Sequence, residues 1–134
     1  MKVLITGATG LIGQALSSYL LGKGHTVHYL TTQPSKRTDS TRYHGFLWNP
    51  IKEEIDVSCL EGVEVIVHLA GENIGRSWNA NGKRKILDSR INSSKLLFTT
   101  LQTNPHCVKT IVCASAIGIY KNSEAWQDEE TNEV

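Results

Sequence analysis

Residues 4–13 read LITGATGLIG, and how this stretch is read decides the fold. Glycines stand at 7, 10 and 13, just after the apolar run KVLIT (2–6) and just where a helical period begins. Glycine costs about 1 kcal/mol relative to alanine inside a helix, so a triplet of them at a helix start needs a reason. KVLIT is short, apolar and β-rich, as suits a strand buried on both faces. From Leu11 to Lys23 the residues Ile12, Ala15, Leu16, Tyr19 and Leu20 recur at steps of three and four, which predicts a helix with Tyr19 on its packing face. GKG (22–24) stops that helix, and TVHYLT (26–31) supplies a second strand. Strand, helix and strand joined this tightly make a right-handed βαβ unit with the two strands parallel.

Further along, residues 32–45 (TQPSKRTDSTRYHG) are polar and predict a loop with at most a short helical turn, followed by a short strand GFLW (45–48) and a turn at NP. VEVIVHLAG (63–71) is a clear buried strand. A helix over about 82–103 carries Leu87, Ile91, Ser94, Phe98 and Leu101 along one face and ends before NP (104–105). KTIVCASA (109–116) is a further strand, and the polar KNSEAWQDEETNEV after it shows no usable period. Strands alternating with helices predict an α/β fold of Rossmann type, a doubly wound parallel sheet in three layers, α/β/α. In such sheets ligands bind outside the carboxyl ends of the strands, which singles out residues 6–13, 31–37, 69–73 and 115–120.

At the end of the first strand the glycines acquire separate uses. Gly7 allows the sharp turn out of the strand, Gly10 leaves bare backbone for a pyrophosphate, and Gly13 lets the helix approach the sheet. The N–H groups of the first helical turn and the positive end of the helix dipole then favour an anion there. A dinucleotide is the ligand this arrangement predicts, where a lone glycine triplet without flanking strand and helix would say little. NAD sites usually place an acid at the end of the second strand, whereas NADP sites remove it and add cations for the 2′-phosphate. Here the strand runs into TTQPSKR, no acid appears before Asp39, and Lys36 and Arg37 lie just beyond, so NADP is favoured with NAD as the alternative. Solvated loop lysine and arginine would look the same.

Composition narrows the remaining classes. With 134 residues and 40% apolar content the chain supports one compact domain, and a net charge of +1 gives no footprint of a nucleic-acid or membrane-surface partner. Cys59, Cys107 and Cys113 are odd in number, widely spaced and free of any CxxC pair, which predicts reduced, buried or half-buried thiols, no metal site and a cytoplasmic location. The N-terminus lacks the longer apolar segment and small-residue cleavage site of a signal peptide, and no stretch reaches the ~20 apolar residues of a membrane span.

TGATGLIG resembles the glycine motif of the extended short-chain dehydrogenases/reductases, the NAD(P)-dependent epimerase/dehydratase group, which spaces these residues GxxGxxG. WNPIKEEIDVSCLEGVEVIVHLAGENI (48–74), RSWN (76–79), DSRINSSKLL (88–97) and ASAIGIY (114–120) are similar, in order and spacing, to the branch of epimerase family, or nucleoside-diphosphate sugar epimerase-like, proteins. The resemblance implies that Gly7, Ala8, Thr9, Gly10, Leu11, Ile12 and Gly13 hold the pyrophosphate and that Thr31 and Thr32 meet the adenosine ribose or its phosphate. NADP-preferring members commonly carry arginine where Thr32 stands, which weakens the case for NADP. It further implies that Leu69, Ala70 and Gly71 border the adenine and inner ribose, and that Arg90 stands beside the cofactor in place of the wider group's asparagine. Arg90 lies one step off the apolar row of its helix, so its guanidinium could reach the sheet's carboxyl edge or simply lie along the helix flank.

The superfamily's hydride chemistry uses a Tyr-x-x-x-Lys pair, the lysine lowering the tyrosine's pKa, with a Ser or Thr to orient the substrate. The letters occur here only as Tyr19 and Lys23, on the first helix, where they read as a chance match. The serine expected four residues before a tyrosine such as Tyr120 is Ala116, leaving Ser115 as the sole, weak catalytic candidate. Family members run on for more than a hundred residues, so the chain resembles an N-terminal cofactor-binding part whose substrate lobe is missing. Two readings stand: the cofactor half of a nucleotide-sugar epimerase or related oxidoreductase, and a non-catalytic NADP(H)-binding sensor or interaction protein. Remaining expectations are minor. His68 is a satisfied core histidine rather than a base, and Lys83, Arg84 and Lys85 form a solvated face or, as the alternative, reach a cofactor phosphate. Glu72 and Asn73 lie at the sheet edge, Asp128 to Glu130 form an acidic tail, and Trp126 with the uncovered sheet edge suggests self-association.

Overall fold

The computed structural model describes residues 1–70 and 80–114. The first strand, β1 (Lys2–Thr6), turns at Gly7 into α1 (Leu11–Gly22) and returns as β2 (Thr26–Thr31), with the strand boundaries that the apolar runs predict. The helix ends as Lys23 and Gly24 turn their N–H groups back onto carbonyls of its last turn. A 3-10 turn at Pro34–Lys36 interrupts the polar loop before β3 (Tyr43–Asn49), which reverses into the two-residue β4 (Glu54–Ile55). After a second 3-10 turn (Val57–Leu60) come β5 (Val65–His68), α2 (Ala80–Thr103) and β6 (Thr110–Cys113).

These strands form one sheet in the order β4-β3-β2-β1-β5-β6. Every pairing is parallel except β3 with β4, where Trp48 faces Ile55. The chain winds outward from β1 through β2 to β3, then crosses back to β5 on the other side, so the switch point lies between the carboxyl ends of β1 and β5. Alternate β1 residues serve opposite faces. Val3 and Ile5 join Val27, Tyr29 and the α1 residues Leu16, Leu20 and Leu21, whereas Leu4 joins Leu30, Trp48, Leu60, Ile66 and the α2 residues Leu96 and Leu97. The sheet therefore lies between a helix on each face, as the alternating pattern predicts.

Four expectations need correction. Strand β3 begins at Tyr43 rather than Gly45, because Tyr43 pairs with Val27 and its ring stacks on Tyr29 at 4.5 Å. Of the α2 row Leu87, Ile91, Ser94, Phe98 and Leu101, Ser94 and Leu101 are half-buried but Leu87, Ile91 and Phe98 are exposed, and the buried residues of the helix are Ser93, Leu96, Leu97 and Thr100. Tyr19 of α1 is 62% exposed rather than packed, with Lys23 over its ring, and both lie at the end of α1 remote from the strands' carboxyl edge. Of the cysteines only Cys59 is buried; Cys107 and Cys113 are exposed, and all three are free thiols. Among the described residues no helix is long and apolar enough to cross a membrane, and no cluster of His, Cys, Asp and Glu could hold a metal.

Candidate functional site

A cleft of about 830 Å³ opens at the carboxyl edge of the sheet, over the switch point. Its size falls within the range of pockets that hold cofactors. Gly7 and Thr9 form one wall beside Ala70; Thr31, Thr32, Gln33 and Lys36 form another; residues 48–51 and the α2 residues Asp88, Ser89, Asn92 and Ser93 complete the lining.

The three glycines divide as their spacing suggests. Gly7 has φ +74°, and a Cβ on it would meet the Leu69 carbonyl carbon at 2.9 Å, where the turns after β1 and β5 touch. A Cβ on Gly13 would fall on the Gly7 carbonyl oxygen and stand 2.6 Å from Ala8 Cα, so only glycine lets α1 start this close to the turn. Gly10 is different. A Cβ there meets nothing nearer than the Gly7 carbonyl oxygen at 3.4 Å, ordinary contact distance. Nothing in the fold requires glycine at 10, and bare backbone there serves whatever approaches from outside. Gly10 is also the N-cap of α1, without a side-chain cap bond and without an acid in the first turn. The first helical bond runs from Gln14 N–H to Gly10 O at 2.9 Å, so the N–H groups of Leu11, Ile12 and Gly13 precede it and suit an anion. Gln14 steadies the turn by donating from Nε2 to Thr9 O at 2.8 Å.

Thr6, the last residue of β1, holds the two turns together. Its Oγ1 accepts from the N–H groups of Leu69 and Ala70, each at 3.0 Å. Both lone pairs are thereby used, so its one proton goes to His68 Nδ1 at 2.7 Å. This assigns the histidine tautomer: Nδ1 accepts, Nε2 carries the proton, and it donates to Ser94 Oγ at 3.0 Å. Burial, and then the charge of Arg90, hold the His68 pKa below its ordinary value, which favours this neutral form. His68 is the satisfied core histidine that its place in a buried strand predicts, and through it β1, β5 and α2 are tied together beneath the cleft.

Of the other residues the sequence singles out, Ala8 is buried against the sheet, and Leu11 and Ile12 are exposed at the helix start. Leu69 packs on the α1 side of the core. Lys36 lines the cleft, but Arg37 donates from Nε to Gly45 O at 2.8 Å. Asp39, the first acid after β2, is paired with His44 outside the cleft, a bond that holds its carboxyl below the usual range. Arg90 is exposed and lies outside the cleft lining; its neighbours Ser89 and Asn92 reach it instead. Gly71, Ser115, Ala116, Tyr120, Glu72, Asn73 and residues 126–130 lie outside the described residues, as do the side chains of Lys83 and Lys85. The sequence reading passed over the polar ladder Asp88, Ser89, Asn92, Ser93. Its spacing of one, three and one on a helix is the signal that could have marked it.

Residues 3–134 match the model of the NAD dependent epimerase/dehydratase family. The chain belongs to this family. It is 32% identical over 122 residues to Epimerase family protein ML0860 of Mycobacterium leprae, covering 90% of this chain and 38% of that protein. The mouse epimerase family protein SDR39U1 is 30% identical over 126 residues, covering 92% and 39%. The crystal structure of human SDR39U1 with NADPH superposes with a TM-score of 0.76 at 29% identity over 98% of this chain and 42% of that one. The fold alone is shared with UDP-glucuronic acid 4-epimerase from Bacillus cereus, in complex with a UDP-sugar acid analogue and NAD (TM-score 0.79, 18% identity, covering 100% and 46%). This member of the epimerase/dehydratase family thus spans about two fifths of the length of the relatives it matches.

Proposed function

We propose that the cleft binds a nicotinamide dinucleotide, with its pyrophosphate on the bare backbone at Gly10 and the N–H groups after it. The adenosine ribose then lies along Thr31, Thr32 and Lys36. The observation that carries this reading is the contrast within the glycine triplet: Gly7 and Gly13 answer to backbone neighbours, and Gly10 answers to open space. Lys36 is the basic residue of the cleft wall, Asp39 is occupied by His44, and the carboxylate that lines the cleft, Asp88, stands on α2, so at the end of β2 a 2′-phosphate would meet a cation. NADP(H) is therefore the proposed ligand, with NAD as the alternative; the relative that was crystallised with NADPH supports it.

When bound, the nicotinamide supplies hydride transfer, and this chain's residues bind and orient it. For the whole protein we propose an oxidoreductase or epimerase acting on a nucleoside-diphosphate sugar, located in the cytoplasm, where free thiols persist. A second reading, a non-catalytic NADP(H) sensor, is favoured by the sequence. Ala116 stands where the superfamily places its substrate-orienting hydroxyl.

The test is a calorimetric titration with NADP⁺ and NAD⁺, alongside Gly10→Asp. Aspartate is a good N-cap, so the helix is kept while its charge opposes the pyrophosphate. Saturable binding that Gly10→Asp abolishes is the expected result; binding to neither ligand, or equal binding by the variant, overturns it.

A further inference from the structure

The loop between β2 and β3 carries Lys36 into the cleft, and its shape is set by a buried residue that does not itself line the cleft. Tyr29 stands inside β2, its ring 1% exposed. Its hydroxyl donates to Lys36 O at 2.8 Å and accepts from Thr38 N–H at 2.7 Å. With the proton committed to Lys36, the remaining lone pair takes the Thr38 hydroxyl at 2.8 Å. All three bonds of this buried phenol are spent on the backbone and side chain flanking Arg37. A second clamp runs to β3. Arg37 Nε donates to Gly45 O, and Gly45 N–H donates to Thr38 O, both at 2.8 Å. Gly45 leaves the space this needs, since a Cβ there would stand 2.6 Å from Tyr29 Cζ and from its hydroxyl oxygen. At the near end, Thr31 Oγ1 accepts from Gln33 N–H at 3.2 Å.

We infer that the Tyr29 hydroxyl is a specificity-determining positioning residue: it fixes the Lys36 backbone so that the ammonium is presented to the 2′-phosphate of NADP(H), with Arg37 serving as an anchor rather than a phosphate ligand. This inference rests on the dinucleotide reading of the cleft. A lysine on a free loop loses rotamer and backbone freedom when it engages a phosphate, and a loop already fixed has less to lose. The hydroxyl should thus matter for the phosphorylated dinucleotide and be silent for the other.

The experiment titrates the chain with NADPH and with NADH, following nicotinamide fluorescence, for wild type, Tyr29→Phe, Lys36→Met and the double variant. Phenylalanine keeps the ring and its stacking on Tyr43 and removes only the hydroxyl. The expected result is a loss of about fivefold in NADPH affinity for Tyr29→Phe, the weight of one hydrogen bond, with NADH changed less than twofold. In the Lys36→Met background Tyr29→Phe should have no further effect on the ratio, because the two act through one contact. If Tyr29→Phe does not fold, as judged by circular dichroism, Thr38→Val, which removes one donor to the same hydroxyl and leaves its bond to Lys36 O, takes its place, with a smaller loss confined to NADPH expected. Equal weakening of both ligands, no weakening of either, or an undiminished effect without Lys36 overturns the inference and leaves the dinucleotide reading standing. A wild-type chain that binds neither ligand overturns both.

Discussion

Two walls of one cleft are built on opposite principles. The turn from Thr6 to Gly13 is shaped by atoms that are absent, glycine positions pressed against backbone, Gly13 against Gly7 and Ala8 and Gly7 against Leu69 and Ala70. The loop from Thr31 to Gly45 is shaped by atoms that are present, a phenol, a guanidinium and a hydroxyl reaching partners seven to nine residues away. A wall made of omissions tolerates no addition, and a wall made of bonds tolerates small losses one at a time. Substitutions in the first wall should therefore act on stability in large steps, and those in the second should act mainly on what the cleft binds.

The sharpest way to break that contrast is Gly13→Ala. Its methyl group would land on the Gly7 carbonyl, and backbone cannot step aside as a side chain can, so a loss of about 3 kcal/mol, the upper part of the overpacking range, is expected in denaturant unfolding. Next in size is Thr6→Val, which keeps the shape of the side chain but leaves the N–H of Ala70 and the Nδ1 of His68 without their partner and the N–H of Leu69 with only its longer bond to Thr6 O. It should cost about 2 kcal/mol, and Thr6→Ser should restore most of it. Gly45→Ala probes the other wall with the same kind of change. Here the obstructing atoms are the end of the Tyr29 ring, so about 1 to 2 kcal/mol is expected, together with loosening of the Lys36 loop read as faster amide exchange at Arg37 and Thr38.

The same contrast explains what was legible in the sequence. KVLIT and TVHYLT are apolar runs closed by glycine or polar residues, and β1 and β2 occupy them without a residue's difference. The glycine turn was legible because much of its cause lies within its own residues, Gly13 answering to Gly7 and Ala8, although Gly7 answers to the distant Leu69. The Tyr29 clamp was not, because nothing in TVHYLT distinguishes a tyrosine that fills a core from one that holds a loop. Strand β3 recruits Tyr43 and His44 by pairing with β2, and β4 exists only because β3 offers it an edge, so neither was visible locally. Helix faces misled for one shared reason. Part of each helix's buried surface is made of small hydroxyl residues whose polar atoms bond back to their own helix, Ser17 to Gly13 O and Thr100 to Leu96 O, each at 2.7 Å. A count of large apolar residues therefore placed Tyr19, Ile91 and Phe98 inside and left Ser17, Ser93 and Thr100 outside.

Acid should act on both walls through buried histidines. Burial lowers the pKa of His68 beneath the first wall and of His28 beside the second, where Cys59 O bonds its Nδ1 at 2.9 Å. Since each folded value lies below the ordinary 6.5, the unfolded chain takes up these protons first. The contribution is fully present above pH 6.5 and is lost as the pH falls through the lower folded values. Urea midpoints measured from pH 7.5 down to 5 should fall, and His68→Gln should flatten part of that fall. A midpoint that is level across this range would mean that neither ring is held neutral.

The smallest stability effect, and the most informative, belongs to Gly10→Ala. It lies in the first wall, yet its added Cβ would have an ordinary 3.4 Å contact, so the rule that this wall tolerates no addition should fail here. Replacing glycine by alanine at an N-cap costs a helix less than about 1 kcal/mol, and thermal unfolding should show no more than that. Dinucleotide affinity should nonetheless drop at least tenfold, because the methyl group occupies the surface on which the pyrophosphate rests. Paired with Gly13→Ala, the variant separates the glycine that the fold requires from the glycine that the ligand requires. If Gly10→Ala proves as destabilising as Gly13→Ala, the triplet is structural throughout and the open face at Gly10 has no claim to a ligand.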